Sequence, residues 1–285
     1  MHLQRCTSEN HLTDGSGKQR RMKMAIIGTI LGDIAGSQYE FIRPADLEWK
    51  KCELFTDRCY FTDDTVMTLA AKLAVKNKIP FADSYRELGR RYPHAGYGGS
   101  FEEWLWNDGK GAYNSFGNGS AMRCSYIGEH FNTEKEVVEW ATKSAECTHN
   151  HEEGIKGAVV TAMCIYMART GAAKSDIYEY VLQKYPMDAY RYSIGYKLDE
   201  YRDTYEWDVS CQGSVPVAIR CFLESDDYES FLRNVFSLEC DMDTLCAIGG
   251  GIAEEFYHGT GFDEKSLLKK YLDENLYEIA VSQLQ

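Results

Sequence analysis

Residues 61–73 read FTDDTVMTLAAKL, in which two acids and flanking threonines come directly before an apolar run. The apolar residues recur at spacings of three and four, the period of an amphipathic helix, at Val66, Leu69, Ala70 and Leu73. The same spacing returns at residues 137–145, 159–166 and 231–236. Alternating runs rich in Val, Ile and Thr are scarce, and only residues 54–61 suit a short extended segment. The sequence therefore predicts an all-α fold.

The chain shows no internal boundary after its first residues. Its 285 residues are 44% hydrophobic and 26% charged, the balance of an ordinary folded protein. Residues 1–21 are polar and lack periodicity, so we expect a flexible leader there and one domain over residues 22–285. No Pro-, Gly- or Ser-rich linker and no repeat divides that domain, and its most distinctive polar motifs lie near its two ends.

Composition excludes several classes of function. The net charge of −13 repels phosphate backbones at long range, which excludes nucleic acid as the main ligand. No run approaches the roughly 20 apolar residues of a membrane span, so no membrane partner is predicted. The ten cysteines are scattered without a C-x-x-C pair, which favours reduced thiols and a cytoplasmic protein.

The first predicted helix, beginning near Met24, carries three glycines four residues apart: Gly28, Gly32 and Gly36. One face of this helix is therefore bare backbone, because residues four apart share a helix face. A mid-helix glycine costs about 1 kcal/mol relative to alanine and needs a packing reason. We expect close helix–helix contact there, with the approach of a ligand as the alternative.

Two acidic clusters each precede a predicted helix, Thr-Asp-Asp-Thr at residues 62–65 and Asp-Met-Asp-Thr at residues 241–244. Asp and Thr are common N-cap residues, so capping explains either cluster alone. One cap uses one side chain, however, and two acids per cluster exceed that need. If the two helix starts face one another, four carboxylates require proton uptake or cations. An all-oxygen ligand set favours Mg²⁺, with Mn²⁺ or Ca²⁺ as competitors, over Zn²⁺.

Two further motifs carry polar side chains at predicted turns. Residues 115–123 read SFGNGSAMR, a Gly-Asn-Gly turn leading into a helix start, where free backbone N–H groups suit a phosphate. An ordinary loop-to-helix turn is the alternative. The pair His149 and His151 is a weak zinc candidate, because side chains two positions apart at a helix start diverge.

Five motifs, in this order, are similar to those of the ADP-ribosylglycohydrolase family, which includes the dinitrogenase reductase-activating glycohydrolase. They are Gly32–Glu40 (GDIAGSQYE), Thr62–Thr65, Gly117–Arg123, Thr148-His149 and Asp241–Thr244. The resemblance spans residues 32 to about 251. It implies a single-domain orthogonal helix bundle with a dinuclear metal cleft holding two Mg²⁺ ions, or Mn²⁺ in their place. The implied activity removes ADP-ribose from a modified protein or a small conjugate.

The same resemblance implies roles for individual residues. The implied metal ligands are Thr62, Asp63, Asp64, Asp241, Asp243 and Thr244. Glu40 stands where an acid closes on the metals and activates water, with a metal-bound Asp, Asp63 or Asp243, as the alternative base. The implied substrate-binding residues are Gly98, Gly99, Ser115, Phe116, Gly117, Asn118, Gly119, Ser120 and His149, with Phe116 near adenine and Asn118 near the distal ribose.

Two other functions stay open beside the hydrolase. One is a non-catalytic family member that binds ADP-ribose or has a structural role. Such a member would be expected to lack metal ligands, but all six predicted ligand positions are filled here. The other is a two-metal phosphohydrolase that cleaves the diphosphate. The chain departs from the family pattern at Glu239-Cys240, where a Gly-Gly pair is usual, and at Glu254-Glu255, where small residues are usual.

Overall fold

The computed structural model describes residues 26–282, and this part of the chain contains fifteen helices and no β-strand. The helices are α1 (Ile27–Ser37), α2 (Asp63–Asn77), α3 (Phe81–Arg91), α4 (Gly99–Trp106), α5 (Gly119–Met122), α6 (Ser125–His130), α7 (Glu134–Glu146), α8 (Glu152–Arg169), α9 (Lys174–Lys184), α10 (Leu198–Thr204), α11 (Cys211–Leu223), α12 (Tyr228–Phe236), α13 (Met242–Tyr257), α14 (Glu264–Tyr271) and α15 (Glu274–Val281). An isolated antiparallel bridge joins Gly117 and Ser210. The predicted all-α fold is confirmed. The predicted leader, residues 1–21, lies outside the described residues.

Helix starts follow the local sequence signals. Thr133 accepts a hydrogen bond from the backbone N–H of Glu136 (3.2 Å) at the start of α7, as the capping-box pattern predicts. Asp227 accepts one from the N–H of Ser230 (2.7 Å) at the start of α12. These side chains satisfy backbone donors that have no partner within the helix.

The prediction of a short extended segment at residues 54–61 is wrong. The backbone there forms turns, in which the N–H of Cys59 donates to the carbonyl of Thr56 (3.1 Å). The carbonyl of Leu54 accepts a hydrogen bond from the Gln38 side chain (3.0 Å). Local and side-chain partners take these backbone groups, so the segment does not pair with a neighbouring strand.

Helices α1 and α13 pack against each other in opposite directions, backbone to backbone. A Cβ atom on any of the three predicted glycines of α1 would overlap the backbone of α13: Gly28 faces Gly250, Gly32 faces Cys246 and Gly36 faces Asp243. This arrangement confirms the predicted tight helix contact. Every residue of α1 is buried, and the antiparallel pairing places the end of α1 beside the start of α13.

Two glutamates from other helices cap the N-terminal end of α1. The N–H of Gly28 donates to Glu254 Oε2 of α13 (2.6 Å), and the N–H of Ile26 donates to Glu129 Oε1 of α6 (2.6 Å). Both N–H groups lie where an α-helix leaves its donors unpaired. Glu254, one of the positions where the family pattern has a small residue, therefore has a structural partner in this chain.

The cysteines and the lengths of the helices can be checked in the part of the chain that is described. Nine cysteines between residues 26 and 282 are free thiols, and Cys6 lies outside this range. None of the helices in the described range is both long enough and apolar enough to cross a membrane.

Candidate metal centre and cleft

The first turns of α2 and α13 carry more acids than capping uses. At α2 the cap is Thr62, whose Oγ1 accepts a hydrogen bond from the N–H of Asp64 (3.2 Å). At α13 the N-cap residue is Asp241, and its side chain makes no capping hydrogen bond. Capping therefore does not account for the paired acids at either helix start.

The two helix starts face one another, as the charge argument requires. Thr244 Oγ1 on α13 donates a hydrogen bond to Asp64 Oδ2 on α2 (3.2 Å). Carboxylate oxygens of Asp64, Asp243 and Asp33 all lie within 4.8 Å of one another. Carboxylate oxygens of Glu40, Asp241 and Asp243 form a second such group. Asp243 belongs to both groups, so the acids form one continuous cluster.

Asp33 is a member of this cluster that the sequence analysis did not assign to the site. It projects from α1 and accepts hydrogen bonds from the N–H groups of Thr62 (3.0 Å) and Thr65 (3.0 Å). It also accepts hydrogen bonds from both threonine hydroxyls. Asp33 thus fixes the start of α2 against α1. The sequence feature that could have indicated Asp33 as a site residue is its position between Gly32 and Gly36, on the helix that packs directly on α13.

Burial is the largest cause of the raised pKa values in this cluster. It raises the pKa of Asp33 to about 6, while the threonine hydrogen bonds lower it. Burial, followed by the charges of Asp33 and Glu40, raises the pKa of Asp63 to about 8. Burial and the charge of Asp241 raise the pKa of Glu40 to about 7. Burial also raises the pKa of Asp241, and it raises the pKa values of Asp64 and Asp243 well above their ordinary range.

The residues present fit divalent cations. Asp64 Oδ1 is buried and has no hydrogen-bond donor, and an unpaired buried carboxylate oxygen is costly. A cation would satisfy that oxygen and balance the repulsion that raises the pKa values. Both groups of acids offer only oxygen atoms, which suits hard ions such as Mg²⁺ or Mn²⁺. The structure therefore supports a metal site at the position predicted from the two acidic clusters.

Three predicted metal ligands lie beside the two groups rather than in them. Thr62 Oγ1 donates to Asp33 Oδ1 (2.7 Å) and to Asp64 Oδ2 (3.2 Å). Thr244 Oγ1 is engaged with Asp64 in the same way. Asp63 lines the cleft, and its N–H donates to the carbonyl of Ala95 (2.7 Å). The two threonines therefore orient carboxylates in this state.

A cleft of about 450 Å³ opens beside the carboxylates, within the size range of small-molecule sites. Its acidic end is formed by Glu40, Asp63, Asp64, Asp241 and Asp243. Predicted substrate-binding residues also line it, namely Gly98, Gly99, Ser115, Gly117, Asn118, Gly119 and His149. A Cβ at Gly98 or Gly99 would meet open space, consistent with their place on the cleft wall.

Two residues of the predicted turn do not line the cleft. The hydroxyl of Ser120 is buried and donates to the carbonyl of Gly154 (2.7 Å). The ring of Phe116 packs edge-on against His151, with 5.3 Å between the ring centroids. The Ser120 hydroxyl is thus already used within the protein, whereas Phe116 is 48% exposed and lies between Ser115 and Gly117, which line the cleft.

The turn that carries Asn118 is tied directly to the acidic end. Asn118 Nδ2 donates to Asp241 Oδ2 (2.7 Å) and to Ser214 Oγ (3.0 Å). The backbone N–H of Asn118 donates to the carbonyl of Val209 (2.8 Å). These hydrogen bonds set the position of the turn relative to the carboxylates.

The two histidines of the predicted motif have separate surroundings. His149 is buried and shares a hydrogen bond between Nδ1 and Thr148 Oγ1 (2.7 Å). Burial, helped by the positive charge of Arg123, lowers the pKa of His149 well below its ordinary value, so its ring is neutral. His151 caps α8, since its Nδ1 accepts from the N–H of Glu153 (3.1 Å). The pair therefore does not form a zinc site.

The fold is all-helical in the described residues, and a buried cluster of carboxylates lines a cleft of the size that small molecules occupy. The chain belongs to the ADP-ribosylglycohydrolase family, whose model matches residues 14–262. That match covers the predicted motifs and confirms the family resemblance.

Individual relatives agree with this assignment. The chain is 26% identical to ADP-ribosylhydrolase ARH3 of Homo sapiens, over 83% of this chain and 85% of that protein. It is 24% identical to the putative ADP-ribosyl glycohydrolase L543 of Acanthamoeba polyphaga mimivirus, over 84% and 88% of the two chains. Among solved structures, an ADP-ribosylglycohydrolase-related protein complex shares the fold with a TM-score of 0.68 and 21% identity, over 90% of this chain and 95% of that one.

Proposed function

We propose that this protein is a metal-dependent hydrolase that cleaves the bond at the ribose anomeric carbon and so releases ADP-ribose from a modified protein or a small conjugate. The observation that carries the proposal is the joining of Asn118, in the turn on the cleft wall, to Asp241 in the carboxylate cluster. One cleft thereby holds both a polar binding turn and a carboxylate centre. Family membership supports the same reaction.

Two divalent ions, Mg²⁺ or alternatively Mn²⁺, would be held by Asp64, Asp241 and Asp243, with the remaining predicted ligands Asp63, Thr62 and Thr244 around them. When bound, such ions lower the pKa of water and neutralise clustered carboxylates. Asp33 acts behind them by holding Thr62 and Thr65 in place.

Glu40 is the base in this proposal. It is partly buried, follows the end of α1, and brings its carboxylate to within 4.8 Å of those of Asp241 and Asp243. That placement allows it to take a proton from a water molecule beside the anomeric carbon. Asp63 and Asp243 are the alternative bases, since both line the same end of the cleft.

The cleft away from the carboxylates would hold the rest of ADP-ribose. In the turn at residues 115–119, the N–H groups of Gly117 and Asn118 donate to Ser115 Oγ and to the Val209 carbonyl, so the diphosphate would take N–H groups of the other turn residues. The neutral ring of His149 lies beside the same turn, close to Gly117 and Gly119. Gly98 and Gly99 leave open space on the facing wall.

A product assay tests this function. The protein, supplied with Mg²⁺, is given ADP-ribose linked to arginine, to serine, to an acyl group and to a nucleoside, and the products are separated by chromatography. Release of intact ADP-ribose from any of them supports the proposal and identifies the leaving group. AMP, with the ribose phosphate still attached to the leaving group, would instead indicate a phosphohydrolase, and binding without turnover would indicate a non-catalytic member.

A further inference from the structure

Two exposed aromatic side chains from distant parts of the chain meet at the cleft. The rings of Phe41 and Trp207 are stacked, with 6.3 Å between their centroids and 24° between their planes. Phe41 is 74% exposed and Trp207 is 43% exposed, yet both line the cleft. Val209, which is 54% exposed, lines it as well. Because these side chains are largely exposed, packing in the hydrophobic core does not account for large apolar residues at these positions.

The aromatic pair lies at the reacting end of the cleft. Phe41 directly follows Glu40, whose carboxylate belongs to the group with Asp241 and Asp243. Trp207 lies on the segment that connects α10 to α11, two residues before Val209. The pair therefore adjoins the part of the cleft where the bond to the leaving group would be broken. Phe41 is next to Glu40, and the Trp207 segment contacts Asn118, whose side chain donates to Asp241.

The segment that carries Trp207 is held in place by hydrogen bonds. The carbonyl of Val209 accepts from the N–H of Asn118 (2.8 Å), and the N–H of Ser210 donates to Asp208 Oδ1 (2.7 Å). The N–H of Glu206 donates to the hydroxyl of Tyr192 (3.1 Å). An exposed tryptophan on a fixed segment offers a rigid apolar surface at low entropic cost.

We propose that Phe41 and Trp207 form an acceptor platform, a surface that binds the polypeptide on either side of the modified residue. The inference rests on the proposed function, which places ADP-ribose within the cleft and the leaving group at its carboxylate end. A polypeptide extends beyond the leaving atom and covers exposed rings with its backbone and side chains. A small acyl or single amino-acid leaving group ends before it gains that contact. The platform thus makes a polypeptide conjugate the preferred substrate.

Two substrates that share ADP-ribose and the scissile bond test the platform. One is an ADP-ribosylated peptide, and the other is the same modified amino acid with blocked ends. Trp207→Ala and Phe41→Ala should each lower kcat/KM for the peptide about tenfold more than for the single amino acid, the loss expected on truncating an aromatic contact. The extra loss should appear in KM, and Trp207→Phe should recover most of it. Trp106→Ala is the control, because Trp106 is 54% exposed but does not line the cleft.

If kcat/KM fell equally for the two substrates, the platform would be overturned, and Phe41 and Trp207 would be assigned to positioning Glu40. Calorimetry with the peptide and with free ADP-ribose, carried out on the slow Glu40→Gln protein, reads the platform apart from turnover. Glu40→Gln should bind the peptide more tightly than ADP-ribose, and adding Trp207→Ala should remove that difference. Peptide binding that is unchanged in the variant would overturn the platform alone. If the wild-type protein binds the peptide in this way without cleaving either substrate, the proposed function fails while the platform stands.

Discussion

Thr244 donates a hydrogen bond to Asp64 across 3.2 Å, and so joins the first turns of two helices that lie 180 positions apart in sequence. This contact places acids from both ends of the chain in one cluster. The contact depends on α1, whose glycines let α13 approach while its Asp33 holds the start of α2. The packing of α1 against α13 therefore holds the fold together and also brings the acids of the site into one cluster.

Asp63→Asn should abolish hydrolysis without unfolding the protein. In excess chelator near neutral pH the variant should melt no lower than wild type, because the raised pKa of Asp63 forces that carboxyl to take up a proton on folding, a cost that asparagine does not carry. Circular dichroism with thermal melting checks this, and Asp83→Asn, on an exposed face of α3, is the control. A variant that loses its helical signal would assign Asp63 to the fold instead.

The metal-free protein should lose stability as pH rises from about 4 to about 8. The folded-state pKa values of Asp33, Glu40 and Asp63 are raised to about 6, 7 and 8, so the folded state binds more protons than the unfolded state in this window. Mg²⁺ should reverse the trend, because ligands bind metal in their ionised form. Denaturant titrations at several pH values, with and without Mg²⁺, measure both slopes. Stability that rises with pH in chelator would contradict the repulsion.

Glu254→Ala should destabilise the protein by about 1–3 kcal/mol, the range for leaving a buried donor unpaired. The donor is the N–H of Gly28, which lies 2.6 Å from Glu254 Oε2. Glu254→Gln keeps an acceptor oxygen and should recover most of the loss. Free energies of unfolding for the two variants check this, and equal losses would show that the charge of Glu254, and not its hydrogen bond, is what the fold requires.

Glu40→Gln should lower kcat by roughly 10²-fold or more, the range of a general base, with little change in the affinity for ADP-ribose. Glutamine keeps the size of the side chain but does not accept the proton. Steady-state kinetics and calorimetry separate these effects, with Glu48→Gln in the same segment as the control. Normal turnover would leave the role of base to Asp63 or Asp243.

Much of this site could be predicted because its signals are local. Thr62 and the acids after it occupy consecutive positions, and helix starts place them without knowledge of the rest of the fold. The role of Asp33 was missed because its partners, Thr62 and Thr65, lie 29 and 32 positions away. The stacking of Phe41 on Trp207 depends on two segments without helical periodicity, so no sequence pattern indicates it.

The orientation of side chains within the predicted turn was equally hidden. Ser120 and Asn118 both belong to the same short motif, yet one hydroxyl is taken by Gly154 while the other side chain reaches Asp241. Spacing within a turn does not determine which side chain faces the cleft, since that depends on the helices packed behind it. The motif therefore located the turn but not the contacts of each member.

The divalent-ion dependence of ADP-ribose release tests the proposed metal-dependent reaction most directly. The protein is dialysed against a chelator and assayed on a conjugate that it cleaves, before and after addition of Mg²⁺ or Mn²⁺, with the products resolved by chromatography. We expect no release in chelator and recovery of intact ADP-ribose with the ion, because the clustered carboxylates need a hard cation. Full release in excess chelator, or AMP as the product after Mg²⁺ is restored, would contradict that expectation.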